Sequence, residues 1–370
     1  MSKRWTRCLQ TAANSATAAV PPVTQPFIPR ATFDVPENIS RSYYLGHHHA
    51  GLREITTGLS KVGLILECRD FRAPLTSWNK HLENALGGRR RIVVYTKTDL
   101  GEDSKGAQKS LRDMHRSRPG ESALFVKKGH RTELLREIRR VAVEVNSITG
   151  LRVYVVGMPN AGKSTLINAL RKQGMQAPST KAKAKVAKTG DHPGVTRKLS
   201  TPVRIMGDKS DPAGPLGEGV FVIDTPGVFM PFVSDGESMV KLALTHGVRD
   251  NIVPHEIVAD YLLYKMNQWD PSLYAKYSPP TNDVGEFLAG VARRTGKHET
   301  RAGFRIQAAI WIIHQWRAGN LGKYILDDVS PEGVAAKLAD HDVDHLSMNQ
   351  ARKREKAARK QRAEEKRKGG

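Results

Sequence analysis

One segment of the sequence places two glycines, a lysine and a serine at the spacing G-x-x-x-x-G-K-S: Gly157-Met158-Pro159-Asn160-Ala161-Gly162-Lys163-Ser164. A β-branched run precedes it and a helical pattern beginning at Thr165 follows it, which is the context that a phosphate-binding loop needs. Glycines let the backbone turn its N–H groups toward phosphate oxygens, and the following helix adds its positive end. Lys163 could reach the terminal phosphates, and the Ser164 hydroxyl could ligate Mg²⁺. The sequence therefore predicts a nucleotide site on residues 157–165.

A second motif, Asp224-Thr225-Pro226-Gly227, follows the strand pattern of residues 221–223. A carboxylate at a strand end can hold a water on Mg²⁺, and the Gly227 N–H can sense a γ-phosphate. About 60 residues after a phosphate loop, this tetrapeptide is a strong signal. The next residue is Val228, which cannot orient an attacking water as the glutamine of many GTPases does. We therefore predict slow hydrolysis by the chain alone.

A third motif, Thr96-Lys97-Thr98-Asp99, ends the strand pattern of residues 91–95. An Asp99 carboxylate could accept hydrogen bonds from both guanine N1–H and the exocyclic amine, which adenine does not offer. Lys97 could lie against the base. These residues predict GTP rather than ATP as the substrate, and Asp99 disfavours the alternative of a P-loop ATPase or kinase. The first position of such motifs is usually Asn, and Thr96 stands there instead.

The stretch between the phosphate loop and Asp224 contains Pro193-Gly194-Val195-Thr196-Arg197 within a lysine-rich region. Thr196 is the better candidate to add a second hydroxyl to Mg²⁺ when GTP is bound, and Thr189 competes with it. Segments of this kind become ordered or disordered with the nucleotide state. We therefore expect residues 171–198 to form a mobile basic loop.

Short β-branched runs alternate with helical stretches along residues 36–230. This pattern is typical of a mostly parallel sheet with helices on both faces. The guanine motif precedes the phosphate loop, whereas an ordinary GTPase has the reverse order. The same sheet can be built with the chain cut at a different loop, which is circular permutation. We predict an α/β fold: a circularly permuted P-loop GTPase domain followed by a smaller all-helical domain.

The pattern becomes helical from residue 231 onward. Apolar residues at helical spacing predict a core helix there: Phe304, Ile306, Ala309, Ile310, Ile313 and Trp316. Four segments follow from these patterns: a transit-like disordered N-terminus at 1–35, the GTPase domain at 36–230, a helical domain at 231–335 and a basic tail at 336–370. Because Asp224–Gly227 leads directly into the helical domain, the nucleotide state can move that domain.

The charge of the chain indicates a polyanionic partner. Its formal net charge is +22 and its pI is about 10.0, well beyond the magnitude of about 2–8 that solubility requires of a small domain. RNA, DNA and an anionic membrane surface all meet this description, so peripheral contact with a membrane stays open. No apolar run reaches the ~18–20 residues that span a bilayer.

The N-terminal segment has the composition of a targeting sequence. Its first acidic residue is Asp34, and basic, Ser-rich sequence precedes it. Such a start resembles a mitochondrial transit peptide, and an ordinary basic terminus is the alternative. Cys8 and Cys68 have neither disulfide nor zinc spacing, which favours a reducing compartment.

These motifs, in this order, resemble the circularly permuted ribosome-assembly GTPases of the YlqF/RbgA type over about residues 43–328. The stretch Leu45–Ile55 is similar to the Gly-His-Met opening of that family, with His48 where Met is usual. Residues 69–77 are similar to its Asp-Ala-Arg-Ile-Pro segment, and residues 317–322 to part of its C-terminal helical domain. With the transit-like start, the chain resembles the mitochondrial members of the family.

The resemblance implies a GTP-hydrolysing switch in assembly of the large mitochondrial ribosomal subunit, docking on ribosomal RNA when GTP is bound and stimulated by that subunit. It implies a catalytic histidine at His47 and a K⁺ ligand at Asn160, which are the positions that match those roles. A structural histidine and a turn-forming asparagine are the respective alternatives. A second function is an RNA-binding scaffold that holds nucleotide without significant turnover. The intact Lys163, Ser164 and Asp224 favour the enzyme.

Overall fold

The computed structural model describes residues 27–41, 46–101, 105–127, 131–174, 199–207, 216–233, 235–296 and 303–343, with positions 353 and 357. The strands in these ranges are β1 (Leu64–Asp70), β2 (Arg91–Thr96), β3 (Glu121–Phe125), β4 (Leu151–Gly157), β5 (Val203–Met206) and β6 (Val220–Asp224). The α-helices are α1 (Gly46–Gly58), α2 (Lys80–Leu86), α3 (Lys105–Arg116), α4 (Thr132–Val145), α5 (Lys163–Gly174), α6 (Gly236–Leu244), α7 (His255–Trp269), α8 (Val284–Arg294), α9 (Phe304–Arg317) and α10 (Pro331–Val343).

The strands form one sheet in the order β3-β2-β1-β4-β6-β5. All neighbours are parallel except β5, which is antiparallel to β6. Every residue of β1 and β2 is buried, because helices cover both faces of a parallel sheet. The predicted mostly parallel α/β sheet is therefore confirmed.

Side chains alternate between two apolar layers along the strands. In β1, Leu64 and Leu66 join α4 and α5 on one face, whereas Ile65 joins α1 and α2 on the other. Because β1, β2, β4 and β6 are parallel, their carboxyl ends lie at one edge of the sheet. Ligands bind at this edge in open parallel sheets.

Helices α6 to α9 pack around a separate apolar cluster in which Tyr261, Phe287 and Trp316 are buried. The predicted core helix at α9 is only partly correct. Ala309, Ile313 and Trp316 are buried, but Ile306 and Ile310 are 49% and 36% exposed. These two isoleucines lie one turn apart on the face that points away from α7 and α8. Among the described residues, no helix is both long and apolar enough to cross a membrane.

Two segments pack in a way that disagrees with the predicted boundaries at residues 35 and 335. Residues 27–41 lie against the helical part: Arg30 pairs with Asp260 at 2.6 Å, and the Phe33 ring lies 5.1 Å from the Tyr261 ring. This corrects the expectation of a disordered segment up to residue 35, because aromatic and ion-pair contacts hold its last residues. Helix α10 continues past residue 335, and its Val334 packs with the sheet rather than with the helical cluster.

Candidate nucleotide site

The loop between β4 and α5 has a backbone that only particular residues adopt. Gly157 and Gly162 have φ values of 140° and 83°, and Asn160 has a φ of 55°. A Cβ at Gly157 would collide with the carbonyl oxygen of Cys68 on β1. Glycine is therefore required at Gly157 both for its φ and for the close approach to the neighbouring strand. Such a loop turns successive N–H groups inward, as an anion-binding nest does.

Lys163 and Ser164 begin α5 and face the loop. Lys163 is 6% exposed, and its Nζ donates to the carbonyls of Met158 at 2.8 Å and Gly157 at 3.3 Å. Burial lowers the pKa of this ammonium, and the charge of Asp224 opposes that shift. The Ser164 hydroxyl donates to Asp224 Oδ2 at 2.7 Å. The lysine, the serine and the carboxylate, predicted from two motifs, thus lie together at the sheet edge.

The third motif adjoins the same loop from β2. The Thr96 hydroxyl donates to the Ala161 carbonyl at 2.9 Å, and Lys97 Nζ donates to the Asn160 carbonyl at 2.8 Å. Lys97 also pairs with Asp70 at 2.8 Å. Thr96 therefore contacts the phosphate loop through its hydroxyl, although the usual asparagine is missing from the motif.

Asp99 is half-buried two residues beyond Lys97. Burial lowers the pKa of the Arg131 guanidinium, and the negative charge of Asp99 opposes this shift. Arg131 stands just before α4, after the end of β3, so it reaches the same sheet edge as Asp99. Sequence reasoning missed Arg131, and its place after a strand that neighbours β2 was the available signal.

The Asp224–Gly227 motif lies on the other side of the loop. A Cβ at Gly227 would stand 2.9 Å from the Cα and the N of Pro159. The Val228 N–H donates to the Gly157 carbonyl at 3.2 Å. Val228 itself is fully buried in the layer under α1, so its side chain faces the core and not the phosphate loop.

Asn160 connects the phosphate loop to the helical part. Its Nδ2 donates to the His246 carbonyl at 2.8 Å, and His246 has a left-handed φ of 66° in the turn after α6. Arg72 makes a parallel link, since it pairs with Asp70 at 2.8 Å and donates to the Thr245 carbonyl at 3.3 Å. The phosphate loop therefore contacts the turn between α6 and α7 directly, whereas Lys97 of the guanine motif is linked to that turn through Asp70 and Arg72.

Three predicted residues cannot be placed. Thr189 and Thr196 lie outside the described residues, and so does the side chain of His47. The neighbouring His48 is described, and its Nδ1 lies 3.0 Å from the Gly227 carbonyl. Sequence reasoning did not assign a role to His48.

The glycine turns, the buried lysine and the serine–aspartate pair define a P-loop nucleotide-binding protein. Residues 152–288 match the family described as 50S ribosome-binding GTPase. The chain is therefore a GTPase, and such a domain binds GTP and usually Mg²⁺.

Similar proteins identify the family of GTPases to which the chain belongs. Mitochondrial GTPase 1 of Schizosaccharomyces pombe is 35% identical over 334 residues, which are 84% of this chain and 96% of that protein. Mitochondrial GTPase 1 of Saccharomyces cerevisiae is 31% identical over 75% of this chain and 78% of its own. Mitochondrial ribosome-associated GTPase 1 of Xenopus tropicalis is 28% identical over 80% of this chain and 98% of its own. The chain belongs to the mitochondrial GTPase 1 family, which confirms the resemblance to mitochondrial GTPases.

The contact of Thr96 with the phosphate loop leads to a testable expectation. Thr96→Val keeps the shape of the side chain but removes the hydroxyl that bonds the Ala161 carbonyl. We expect GTP and GDP to bind about tenfold more weakly, because one buried hydrogen bond that supports the loop is lost. Thr96→Ser keeps the hydroxyl and should bind both nucleotides nearly as the wild type does. Titration with fluorescent GTP and GDP measures this, and wild-type affinity in Thr96→Val would contradict it.

The lowered pKa of His246 predicts that the stability of the protein depends on pH. Burial and the charge of Arg317 lower the pKa of His246 to about 4, while Asp250 opposes the shift. The unfolded chain binds this proton near the ordinary pKa of about 6.5, so it takes up more protons than the fold between pH 6.5 and 4. The free energy of unfolding should therefore fall as the pH falls through that window.

His246→Asn removes the titrating group and tolerates the left-handed backbone. Urea midpoints at pH 7 and pH 5 should then differ less for the variant than for the wild type. Equal losses in both proteins would show that His246 does not contribute.

Proposed function

We propose that this GTPase acts in assembly of the large mitochondrial ribosomal subunit and docks on its ribosomal RNA when GTP is bound. The observation that carries the proposal is the match of residues 152–288 to 50S ribosome-binding GTPases. Relatives named mitochondrial ribosome-associated GTPase support it. The net charge of +22 suits an RNA partner.

The proposal includes a circular permutation of the domain at 36–230. In the sheet, the phosphate loop follows the central strand β4, and the guanine motif follows β2, which precedes β4 in the chain. Residues 224–227 consequently lead into α6 and the helical domain at 231–335, which we propose as the RNA-docking part. The hydrogen bond from Asn160 to His246 supports this coupling, because it joins the phosphate loop to the helical part directly.

The described residues fit a magnesium–GTP complex. The φ values of Gly157, Asn160 and Gly162 suit a loop that cradles phosphates with backbone N–H groups, and Lys163 is the buried cation that would bind the β- and γ-phosphates. Ser164 would ligate Mg²⁺ directly and Asp224 through a water, since a hydroxyl and a carboxylate are oxygen donors of the kind that Mg²⁺ takes. When bound, Mg²⁺ neutralises negative charge on the phosphate oxygens.

Three further assignments concern the ends of the substrate. Asp99 and Lys97 would bind the guanine base, and the Gly227 N–H would bind the γ-phosphate. Thr196 would add the second hydroxyl to Mg²⁺. The described chain that follows Thr196 supports its placement, because the Ser200 hydroxyl accepts a hydrogen bond from the Asp224 N–H at 2.8 Å.

Hydrolysis is proposed to be slow until the ribosomal subunit is bound. Val228 is buried and cannot orient water. His47 is the proposed catalytic histidine because its position matches that of the family's catalytic histidine. Asn160 is the proposed K⁺ ligand through its amide oxygen, while its Nδ2 donates to the His246 carbonyl. An ion at this position would add positive charge beside the transferred phosphoryl group, as an arginine finger does.

The proposed location is the mitochondrial matrix. The transit-like start of the chain supports it, as do relatives that are named mitochondrial. Peripheral contact with the inner membrane is part of the proposal because the net positive charge of the chain suits anionic lipid.

The test is capture of the partner in two nucleotide states. Full-length protein bearing a tag is incubated in mitochondrial lysate with a non-hydrolysable GTP analogue or with GDP, and the bound RNA is sequenced. We expect large-subunit ribosomal RNA to be enriched with the analogue. Lys163→Ala, which removes the phosphate-binding cation, should capture little in either state. Equal recovery with GDP, or no ribosomal RNA, would contradict the proposal.

A further inference from the structure

Helix α1 fits against the Asp224–Gly227 motif through two contacts on one face. His48 is 1% exposed, and its Nδ1 lies 3.0 Å from the Gly227 carbonyl oxygen. Since a carbonyl only accepts, Nδ1 carries a proton and donates to it. Three residues further along the helix, a Cβ at Gly51 would stand 2.9 Å from the Pro226 Cβ. Close packing and a hydrogen bond therefore join α1 to this motif.

The hydrogen bond from His48 fixes the carbonyl group of one peptide unit, and the N–H group of the same unit is also hydrogen-bonded. His48 binds the carbonyl of the Gly227–Val228 peptide, while the N–H of Val228 donates to the Gly157 carbonyl at 3.2 Å. The Asn79 side chain then binds the next carbonyl, that of Val228, at 2.9 Å. Both ends of one peptide unit are thus fixed by different elements, α1 and the phosphate loop. This unit holds Gly227 from its carbonyl side, and the N–H of Gly227 lies in the preceding Pro226–Gly227 unit, where Pro226 packs closely against Gly51 of α1.

We propose that His48 is a positioning residue for GTP hydrolysis, which aims the Gly227 N–H at the γ-phosphate by holding the Gly227 carbonyl. The inference rests on the proposed role of Gly227. The groups proposed to bind what GTP and GDP share, Lys163 and Asp99, make no hydrogen bond or ion pair with His48 in the structure. The loss of the hydrogen bond from His48 should therefore weaken GTP binding and slow the chemical step, and should leave GDP binding unchanged.

Two variants separate the hydrogen bond from simple packing. His48→Met fills the space but cannot donate, whereas His48→Asn places an amide N–H near the position of the ring Nδ1. We expect His48→Met to lower the GTP-to-GDP affinity ratio and the single-turnover rate about tenfold each. His48→Asn should recover most of both losses. His49→Met, on the exposed side of the same turn, is the matched control and should behave as the wild type.

The readouts are nucleotide titration, single-turnover hydrolysis and the melting temperature of the GDP complex. A wild-type affinity ratio and rate in His48→Met would overturn the inference. It would also be overturned if Met and Asn lowered GDP affinity and melting temperature equally, since that is the result of a merely structural role.

Gly227→Ala distinguishes failure of the inference from failure of its premise. If this variant binds GDP normally and keeps the wild-type affinity ratio, the proposed role of Gly227 is wrong. If it lowers the ratio while His48→Met does not, only the role of His48 is wrong.

Discussion

Asp99→Asn is expected to change the base preference of the protein from guanine to xanthine nucleotides. The carboxylate can accept from the N1–H and the exocyclic amine of guanine, whereas an amide presents one acceptor and one donor. Xanthine carries a carbonyl in place of that amine, so the amide donor finds a partner. We expect GTP to bind at least about 100-fold more weakly and XTP to bind better than GTP, because a site built for hydrogen bonds rejects a base that leaves them unpaired.

Competition of GTP, XTP and ATP against a fluorescent nucleotide measures this change. Asp113→Asn on the exposed face of α3 is the matched control, because its carboxylate pairs only with the exposed Arg116 among the described residues. It should keep the preference for GTP. A variant at Asp99 that still prefers GTP, or a wild type that prefers ATP, would show that Asp99 does not read the base.

Arg91→Met is expected to be the most destabilising of the single changes considered. The Arg91 side chain is 5% exposed and pairs with Glu67 at 3.1 Å, Glu83 at 2.9 Å and Glu121. Removing the cation leaves three buried carboxylates with fewer partners, and breaking a buried ion pair in this way costs about 3–5 kcal/mol. Urea unfolding monitored by tryptophan fluorescence measures the loss.

Arg140→Met provides the comparison on the surface. Arg140 also pairs with two carboxylates, those of Glu137 and Glu144, but its side chain is 52% exposed. Water solvates these groups in both folded and unfolded chains, so the free energy of unfolding should hardly change. Similar losses in both variants would mean that burial does not strengthen the dependence on Arg91.

The network around Arg91 also limits what the sequence could predict. The strand β1 runs from Leu64 to Asp70 and buries the charged residues Glu67 and Arg69 within it. Arg69 Nε donates to Glu67 Oε1 at 2.6 Å. From the sequence alone, a charged residue is predicted to be exposed. It is buried only where a partner of opposite charge neutralises it. Apolar periodicity alone therefore does not reveal that Glu67 and Arg69 belong to a buried strand.

The nucleotide site was largely predictable because its main parts are short motifs. Gly157–Ser164 and Asp224–Gly227 were each predicted at a strand end, and the two strands, β4 and β6, are neighbours in the sheet. The contact between Thr96 and Ala161 could not be predicted, since it joins residues 65 positions apart and depends on the loop reaching a neighbouring strand. The contact from His48 to Gly227 spans 179 positions and has no motif of its own.

The helical part was predicted less well for a related reason. Apolar spacing identified α9 but not which of its faces would be covered, so Ile306 and Ile310 were placed in the core although they are exposed. The ordering of residues 27–41 depends on Arg30 and Phe33 finding partners on α7, more than 200 residues away. Composition alone predicted disorder for the part of this segment up to residue 35.

The most direct test of the account is GTP turnover by the full-length protein with and without purified large mitochondrial ribosomal subunits. We predict slow release of phosphate by the protein alone and an increase of at least about tenfold when subunits are added in excess. Lys163→Ala should show no increase under the same conditions, which excludes a contaminating GTPase in the subunit preparation. A turnover rate that the subunits leave unchanged would contradict the account.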